Sequence, residues 1–373
     1  MTISLTDNAV RLLRLHAQKL VRPQPNPGTT VVDLVKELGG VQAQDVHAAT
    51  LAFRVRSTGL VATDIEFARI QERSIIRTWG PRGTLHLLAT EDLSWLLPLL
   101  GPIFIAKDRR RREELNLDED TCTRGIQLIR QVLASQGPLT RDELIEKLAT
   151  YGLRLAGQAR PHLLGRAALE GVICFGPDRN GEPTYVLLSD WTSWENNRGL
   201  LSESAAHAEL TRRYLGAYGP ATLYDQATWS GLSIRQTRTV WQEMADQLLE
   251  VEISHSSAWM LKTDAARLQE PLISTPIVRL LPAFDTYLLG YQKRNLVVSP
   301  QYAHRINAGG GMVQPTVLVD GFAVGTWKTK RRKNHLEVQV EPFEPLSPDV
   351  CAALENEVSD LGRFLKATIL WSF

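Results

Sequence analysis

The middle of the chain gives the clearest order of apolar and polar positions. TRGIQLIRQVLASQ places apolar residues at three- and four-residue intervals, which predicts a helix, and the Gly-Pro pair of GPLT stops it. Thr140 and Glu143 have the spacing of a capping box, in which each side chain bonds the other's backbone amide, so DELIEKLAT starts a second helix. QARPHLLGRAALEGVI predicts a third. CFGPDRNGEPTYVLL then sets two short apolar runs around a Gly/Asp/Asn/Pro turn, as a hairpin requires. Three helices followed by a hairpin make a winged helix.

The same order recurs after residue 200. AHAELTRRYLGAYGPAT repeats the first helix and its Gly-Pro break, and LYDQATWSG supplies the short second helix. Ser233 and Gln236 repeat the capping-box spacing before a long third helix, RQTRTVWQEMADQLLEVE, and ISHSSAWML closes the unit as a small hairpin. Two such units with matching breaks are a repeat. The N-terminal part fits a more divergent copy. LTDNAVRLLRLHAQKL is its first helix, Pro23, Pro25 and Pro27 make a loop, TVVDLVKELGG ends at its glycines, and DVHAATLAFRVRST is the third helix. RTWGPRGTLHLL is the expected wing. Beyond residue 270 the period shortens: PTVLVDGFAVGTW and NHLEVQVEPF alternate apolar and polar positions around Asp-Gly, a β-hairpin signal. PDVCAALENEVSDLGRFL adds a last helix. The expected fold is α+β, with tandem winged-helix (helix-turn-helix) repeats at 1–120, 121–200 and 201–268 and a C-terminal β-rich domain at 269–373.

Composition changes this picture little. The 373 residues, 43 % hydrophobic and 22 % charged, are those of an ordinary globular chain. A formal net charge of +1 does not mark a nucleic-acid binder, so any such surface must come from local clustering. Cys122, Cys174 and Cys351 stand far apart without a CxxC, and the histidines are scattered, which predicts neither a disulfide framework nor a metal site. The N-terminal stretch lacks a signal-peptide core and no run approaches a membrane span. A cytoplasmic chain without cofactor or metal is expected.

Candidate chemistry lies in GGVQAQDVHAAT, the turn between the second and third helices of the first unit. On a helix, residues two apart face away from each other, whereas in extended backbone they point the same way. Gln42 and Gln44 can serve one site only if this segment is non-helical. Asp45 stands where a cap of the following helix belongs, which competes with a catalytic role for it. From spacing alone, the glutamines can equally be polar turn residues that tie loops together.

The winged-helix repeats together with GGVQAQD, RTWGPRGTLHLL, LLPAFDTYLLGYQKR and PTVLVDGFAVGTW resemble the AlkZ/YcaQ-like bacterial DNA glycosylases over essentially the whole chain. The resemblance implies that the repeats and the β-rich domain surround a concave DNA-binding channel. It also implies that Gln42-Ala43-Gln44 is the catalytic motif of the AlkZ branch: Gln, an aliphatic residue, Gln. The YcaQ branch carries an acid at the third position, and here Asp45 lies outside the motif. The implied protein is a monofunctional glycosylase of the bacterial nucleoid that acts on double-stranded DNA carrying alkylation damage; a monomer is expected because three winged helices in one chain can grip DNA without a partner. N7-alkylated purines, bulky antibiotic–guanine adducts and interstrand crosslinks are the implied lesions, and self-resistance to a genotoxic natural product the implied setting. The competing reading is a winged-helix transcriptional regulator without catalysis, since such repeats commonly read DNA sequence.

Two amides suit such a reaction. An unmodified purine leaves as an anion and needs a general acid, whereas a guanine alkylated at N7 is already cationic and departs neutral. The enzyme then has to hold a water at C1′ and stabilise the cationic sugar, which carboxamide oxygens and N–H groups can do. Further DNA contacts are expected from Lys328, Lys330, Arg331, Arg332 and Lys333 in GTWKTKRRKNHL, unless that run is only a solvated loop. Arg77 and Arg82 of RTWGPRG are expected on the backbone near the lesion. KDRRRREE reads as a helix face whose glutamates offset its arginines. Trp79 and Trp241 read as core and His86 as a satisfied strand histidine, while Asp285, in PAFDTYLL, has no role derivable from sequence.

Overall fold

The computed structural model describes residues 3–21, 28–192, 201–270 and 275–373, so the expected loop through Pro23, Pro25 and Pro27 lies outside the described residues. Strand β1 (Ile3–Leu5) leads into helix α1 (Asp7–Ala17), capped by Thr6. α2 (Val31–Glu37) begins from a capping box of Thr30 and Asp33. A two-residue strand β2 (Val41–Gln42) and α3 (Val46–Arg54) follow. α4 (Ala62–Ile70) comes next, then the expected wing, β3 (Ile75–Trp79) and β4 (Leu85–Ala89). α5 (Leu93–Lys107) and α6 (Arg109–Glu114) complete this part. Neither α4 nor α5 was expected; α5 carries Pro98 and Pro102 in its interior, residues that ordinarily interrupt a helix.

The second repeat forms as read. α7 (Glu119–Gln136) ends at Gly137, β5 (Leu139–Thr140) precedes α8 (Arg141–Thr150), and the Thr140/Glu143 capping box is present. α9 (Ala159–Leu169) is followed by the hairpin β6 (Ile173–Phe175) and β7 (Thr184–Leu187), with α10 (Leu188–Trp191) after it. In the third repeat α11 (Glu203–Tyr218), α12 (Leu223–Ser230) and α13 (Ile234–Glu243) precede β8 (Leu248–Ile253) and β9 (Ser256–Leu261). The long third helix expected there stops at Glu243: Leu248, Val251 and Ile253 are buried in strand β8, paired with β9, so sheet pairing overrides the helical reading of LLEVE.

Beyond residue 275 come β10 (Val278–Leu281), α14 (Thr286–Leu289), α15 (Ala303–Ile306) and the small hairpin β11 (Asn307–Gly309) and β12 (Met312–Val313). β13 (Thr316–Val319), β14 (Phe322–Arg331) and β15 (Leu336–Pro342) form a meander. Its first turn is the anticipated Asp-Gly, with φ of +48° at Asp320 and +79° at Gly321, as a two-residue hairpin of this twist requires. α16 (Pro348–Leu365) is the anticipated last helix, and an unanticipated strand β16 (Ile369–Ser372) pairs parallel to β15.

Packing divides the chain into two compact units: Met1–Glu66 with Ala208–Trp229 and Ser233–Phe373, and Phe67–His207 with Ser230–Leu232. These cut across the four consecutive segments read from the sequence. The reason is a strand pairing: β3 joins β6 at Arg77 and Phe175, so the first wing continues the sheet of the second repeat in the order β4-β3-β6-β7-β5. A core of that second unit runs from Leu117 and Ile129 to Leu163, Ile173 and Leu187. The first unit carries the sheets β1-β8-β9 and β10-β13-β14-β15-β16. One of its cores joins Leu15 and Val55 to Leu281, Tyr287 and Leu318, and another joins Val10 to Val251 and Met260. Among the described residues no helix is long and apolar enough to cross a membrane.

Candidate active site

The backbone around the two glutamines is not helical. Val41 and Gln42 are extended, Gln44 and Asp45 form a bend, and the helix begins at Val46. The condition for Gln42 and Gln44 to serve one site is therefore met. Asp45 caps the helix: its carboxylate accepts from the amides of His47 at 2.8 Å and Ala48 at 3.1 Å. Burial distinguishes the glutamines. Gln42 is 6 % exposed, Ala43 beneath it is fully enclosed, and Gln44 faces solvent.

Rigid groups hold both sides of this turn. Upstream, Gly39 and Gly40 close α2 with φ of +66° and +105°, donating to the carbonyls of Lys36 and Val35. A Cβ on Gly39 would stand 3.3 Å from the ring of Trp229, which packs with Tyr214 and Tyr218. Arg213 donates to the Lys36 carbonyl at 2.9 Å. Downstream, α3 is fastened by two buried arginines. Arg54 donates to the Leu280 carbonyl at 2.8 Å, to Glu357 at 3.1 Å and to Asp360 at 3.2 Å. Arg56 makes a two-pronged pair with Asp285 at 2.7 and 2.8 Å, with neither side chain exposed. Paired forks of this kind fix direction as well as distance. Asp285 also caps α14 through the Tyr287 amide at 3.0 Å.

The remaining expected residues separate. Arg77 is 6 % exposed with its guanidinium 4.4 Å from the Phe175 ring centre, a placement that fits sheet packing better than contact with a DNA backbone. Arg82 sits at the wing turn with φ of +60°. Lys328, Lys330 and Arg331 lie on β14 and Arg332 and Lys333 at its tip, all exposed. Lys328 pairs with Glu341 at 2.6 Å and Arg332 with Glu337 at 2.9 Å, leaving Lys330, Arg331 and Lys333 without ion pairs among the described residues. In α6 each exposed arginine is answered by a glutamate, Arg109 by Glu113 and both Arg110 and Arg111 by Glu114, as the charge pattern predicted. Trp79 stacks on Phe175 and Trp241 is buried against Gln226. His86 is 2 % exposed, its Nδ1 3.0 Å from the Thr84 carbonyl; burial above all, and the nearby Arg82 charge, push its pKa down to about 3, outweighing the carbonyl contact.

A family model described as DNA glycosylase AlkZ-like matches residues 35–364, from the end of α2 to α16. The chain belongs to the AlkZ-like DNA glycosylase family. It is 30 % identical to a Streptomyces sahachiroi protein named interstrand DNA cross-link repair glycosylase, with 93 % of each chain covered. The solved structure of the Streptomyces sahachiroi DNA glycosylase AlkZ superposes with a TM-score of 0.81 at 26 % identity, covering 99 % of this chain and all of that one. As a DNA glycosylase, the chain must cleave a bond between deoxyribose and a base. Arg54, Arg56 and Asp285, which sequence reasoning left without roles, fasten the helix that follows the glutamine turn. A signal was present: LAFRVR sets two arginines in an otherwise apolar run, and a buried guanidinium demands a buried acid.

Proposed function

We propose that this glycosylase is monofunctional and releases N7-alkylated purines from double-stranded DNA, bulky antibiotic–guanine adducts and interstrand crosslinks included, with Gln42 and Gln44 as its catalytic pair. The observation that carries the reading is the glutamine turn: two neutral amides on non-helical backbone, ahead of an aspartate whose carboxylate is occupied as a cap. With no proton to give, such a site suits a base that is already positively charged. Gln42, enclosed and held, is pre-oriented, so little reorganisation accompanies charge development at the sugar. Gln44, which is exposed, positions the attacking water on this reading. The relative named for interstrand crosslink repair supports bulky lesions as substrates. Lys330, Arg331 and Lys333 are proposed to reach phosphates, and the enzyme to act as a monomer under selection for self-resistance to a DNA-alkylating product.

A transcriptional regulator is not favoured. The matching family model and the named relative are both of DNA glycosylases, which supports catalysis over sequence reading alone. The test is incubation with duplexes carrying N7-alkylguanine or a defined N7–N7 crosslink, scoring abasic sites for wild type and Gln42→Ala. Release by wild type and its loss in the variant, with duplex affinity kept, is expected. Strong excision of unmodified uracil would count against the reading.

A further inference from the structure

The second unit contains a cavity of about 460 Å³ between the wing turn, the end of α5 and the exposed edge of α9. We propose that it binds one unstacked nucleotide of a DNA strand. Its size falls in the span of roughly 300–1,000 Å³ typical of small-ligand clefts. Trp79, partly exposed, lines it together with the buried Phe104, and Arg82, Lys107, His162 and Arg166 stand around it. Phe104 is locked in place: a Cβ on Gly83 would stand 2.9 Å from its ring, and one on Gly231 2.5 Å. Gly165 lets α9 approach Trp79, where a Cβ would already touch the indole at 3.4 Å.

The charges of the cavity are unevenly answered. Arg166 is held by Glu119 and Glu170. Asp108 accepts from His162 at 2.7 Å and lies 3.8 Å from Arg112. Lys107 is exposed and makes no ion pair among the described residues. Arg82 also lines the cavity, from the wing turn. It occupies a left-handed conformation, φ +60°, between Pro81 and Gly83, where glycine would be unstrained. A partly exposed indole for a base beside cations for its phosphate is the combination that single-strand binders use. The choice of ligand rests on the DNA glycosylase reading; the cavity itself contains no residue of the glutamine turn.

The test is titration calorimetry of the full chain with a 5′-phosphorylated thymidine tetranucleotide, thymidine monophosphate and inorganic phosphate. The tetranucleotide is expected to bind, and Trp79→Leu to weaken it about tenfold or more. Lys107→Gln, at an exposed site, should flatten the dependence of log affinity on log salt by about 0.7, one phosphate contact. Arg82→Gly should lower affinity without lowering Tm, which a merely structural role for the arginine would not produce. Equal binding by wild type, Lys107→Gln and Arg82→Gly overturns the proposal, as does binding of phosphate alone with the same affinity. Preference for the free monophosphate would assign the cavity to a free nucleotide and overturn the strand assignment. If wild type releases 7-methylguanine while these variants bind alike, this inference fails and the proposed activity stands; if cavity binding holds and Gln42→Ala still releases the base, the reverse is true.

Discussion

Helices α3 and α13 are third helices of two copies of one motif, and they are used in opposite ways. In α13 only Thr237, Val240 and Trp241 are buried; Ile234, Arg235, Arg238, Thr239 and Gln242 face solvent. In α3 the burial runs through Ala48, Ala49, Leu51, Ala52, Phe53 and Arg54, and His47 is exposed near its start. An exposed third helix can offer side chains to a partner. An enclosed one cannot, but it makes a stable base for whatever precedes it. The glutamine turn precedes α3, and its placement depends on how firmly that helix is held. On the proposed reading, the functional part of this repeat lies in the lead-in to the helix and not in the helix itself.

The largest expected effect tests that fastening. Arg56→Ala leaves Asp285 buried without its partner, and breaking such a pair costs about 3–5 kcal/mol. Urea unfolding should show a fall of that order, whereas Arg235→Ala on α13 should change stability by less than about 0.5 kcal/mol. Similar losses for both arginines would remove the distinction between the helices. Replacing both members, Arg56→Met with Asp285→Leu, should cost less than Arg56→Ala alone, because no charge is then left unpaired.

Next in size is the chemistry. If Gln42 supplies a pre-oriented dipole, Gln42→Ala should slow base release by roughly 10²–10³, the usual consequence of removing one such group. Single-turnover release of 7-methylguanine measures it, with duplex affinity as control. Arg238→Ala should leave the same rate unaltered.

Gly39→Ala probes the upstream side of the turn. Its φ of +66° disfavours a side chain, and the added methyl meets Trp229 at 3.3 Å. A cost of about 1–3 kcal/mol is expected, together with a loss of base release larger than the loss of DNA binding. Slowed release at unchanged affinity would show that the turn is positioned by the aromatic cluster; unchanged release would show that the downstream arginines suffice.

The comparison also explains what could be read from sequence. The capping box Ser233/Gln236 and the apolar stripe of α13 are local signals, and both are present in the structure. The Asp320-Gly321 hairpin and the cap at Asp45 were legible for the same reason, since each depends on a few adjacent residues. The acidic partners of Arg54 and Arg56 lie more than two hundred positions away, and nothing nearby names them. The joining of the first wing to the second repeat at Arg77 and Phe175 is equally non-local. The glutamine motif itself stood out through its family resemblance, while the difference in exposure between Gln42 and Gln44 follows from packing and could not be read from their spacing.

The smallest effect concerns an enclosed group of the second unit, His86, and extends the contrast between buried and exposed polar residues to pH. Its folded pKa of about 3 lies below the ordinary 6.5 because burial disfavours the charged ring. Between those values the unfolded chain binds more protons than the folded one, so stability rises with pH across that window and is lost as pH falls toward 3. One such group contributes at most about 1.4 kcal/mol per pH unit. His86→Leu should therefore flatten the dependence of unfolding free energy on pH between 6.5 and 4, although the variant also gives up the contact with the Thr84 carbonyl and starts from a lower stability at neutral pH. An unchanged slope would mean that the ring finds water or a counter-charge when protonated, and that its enclosure is less complete than its 2 % exposure implies.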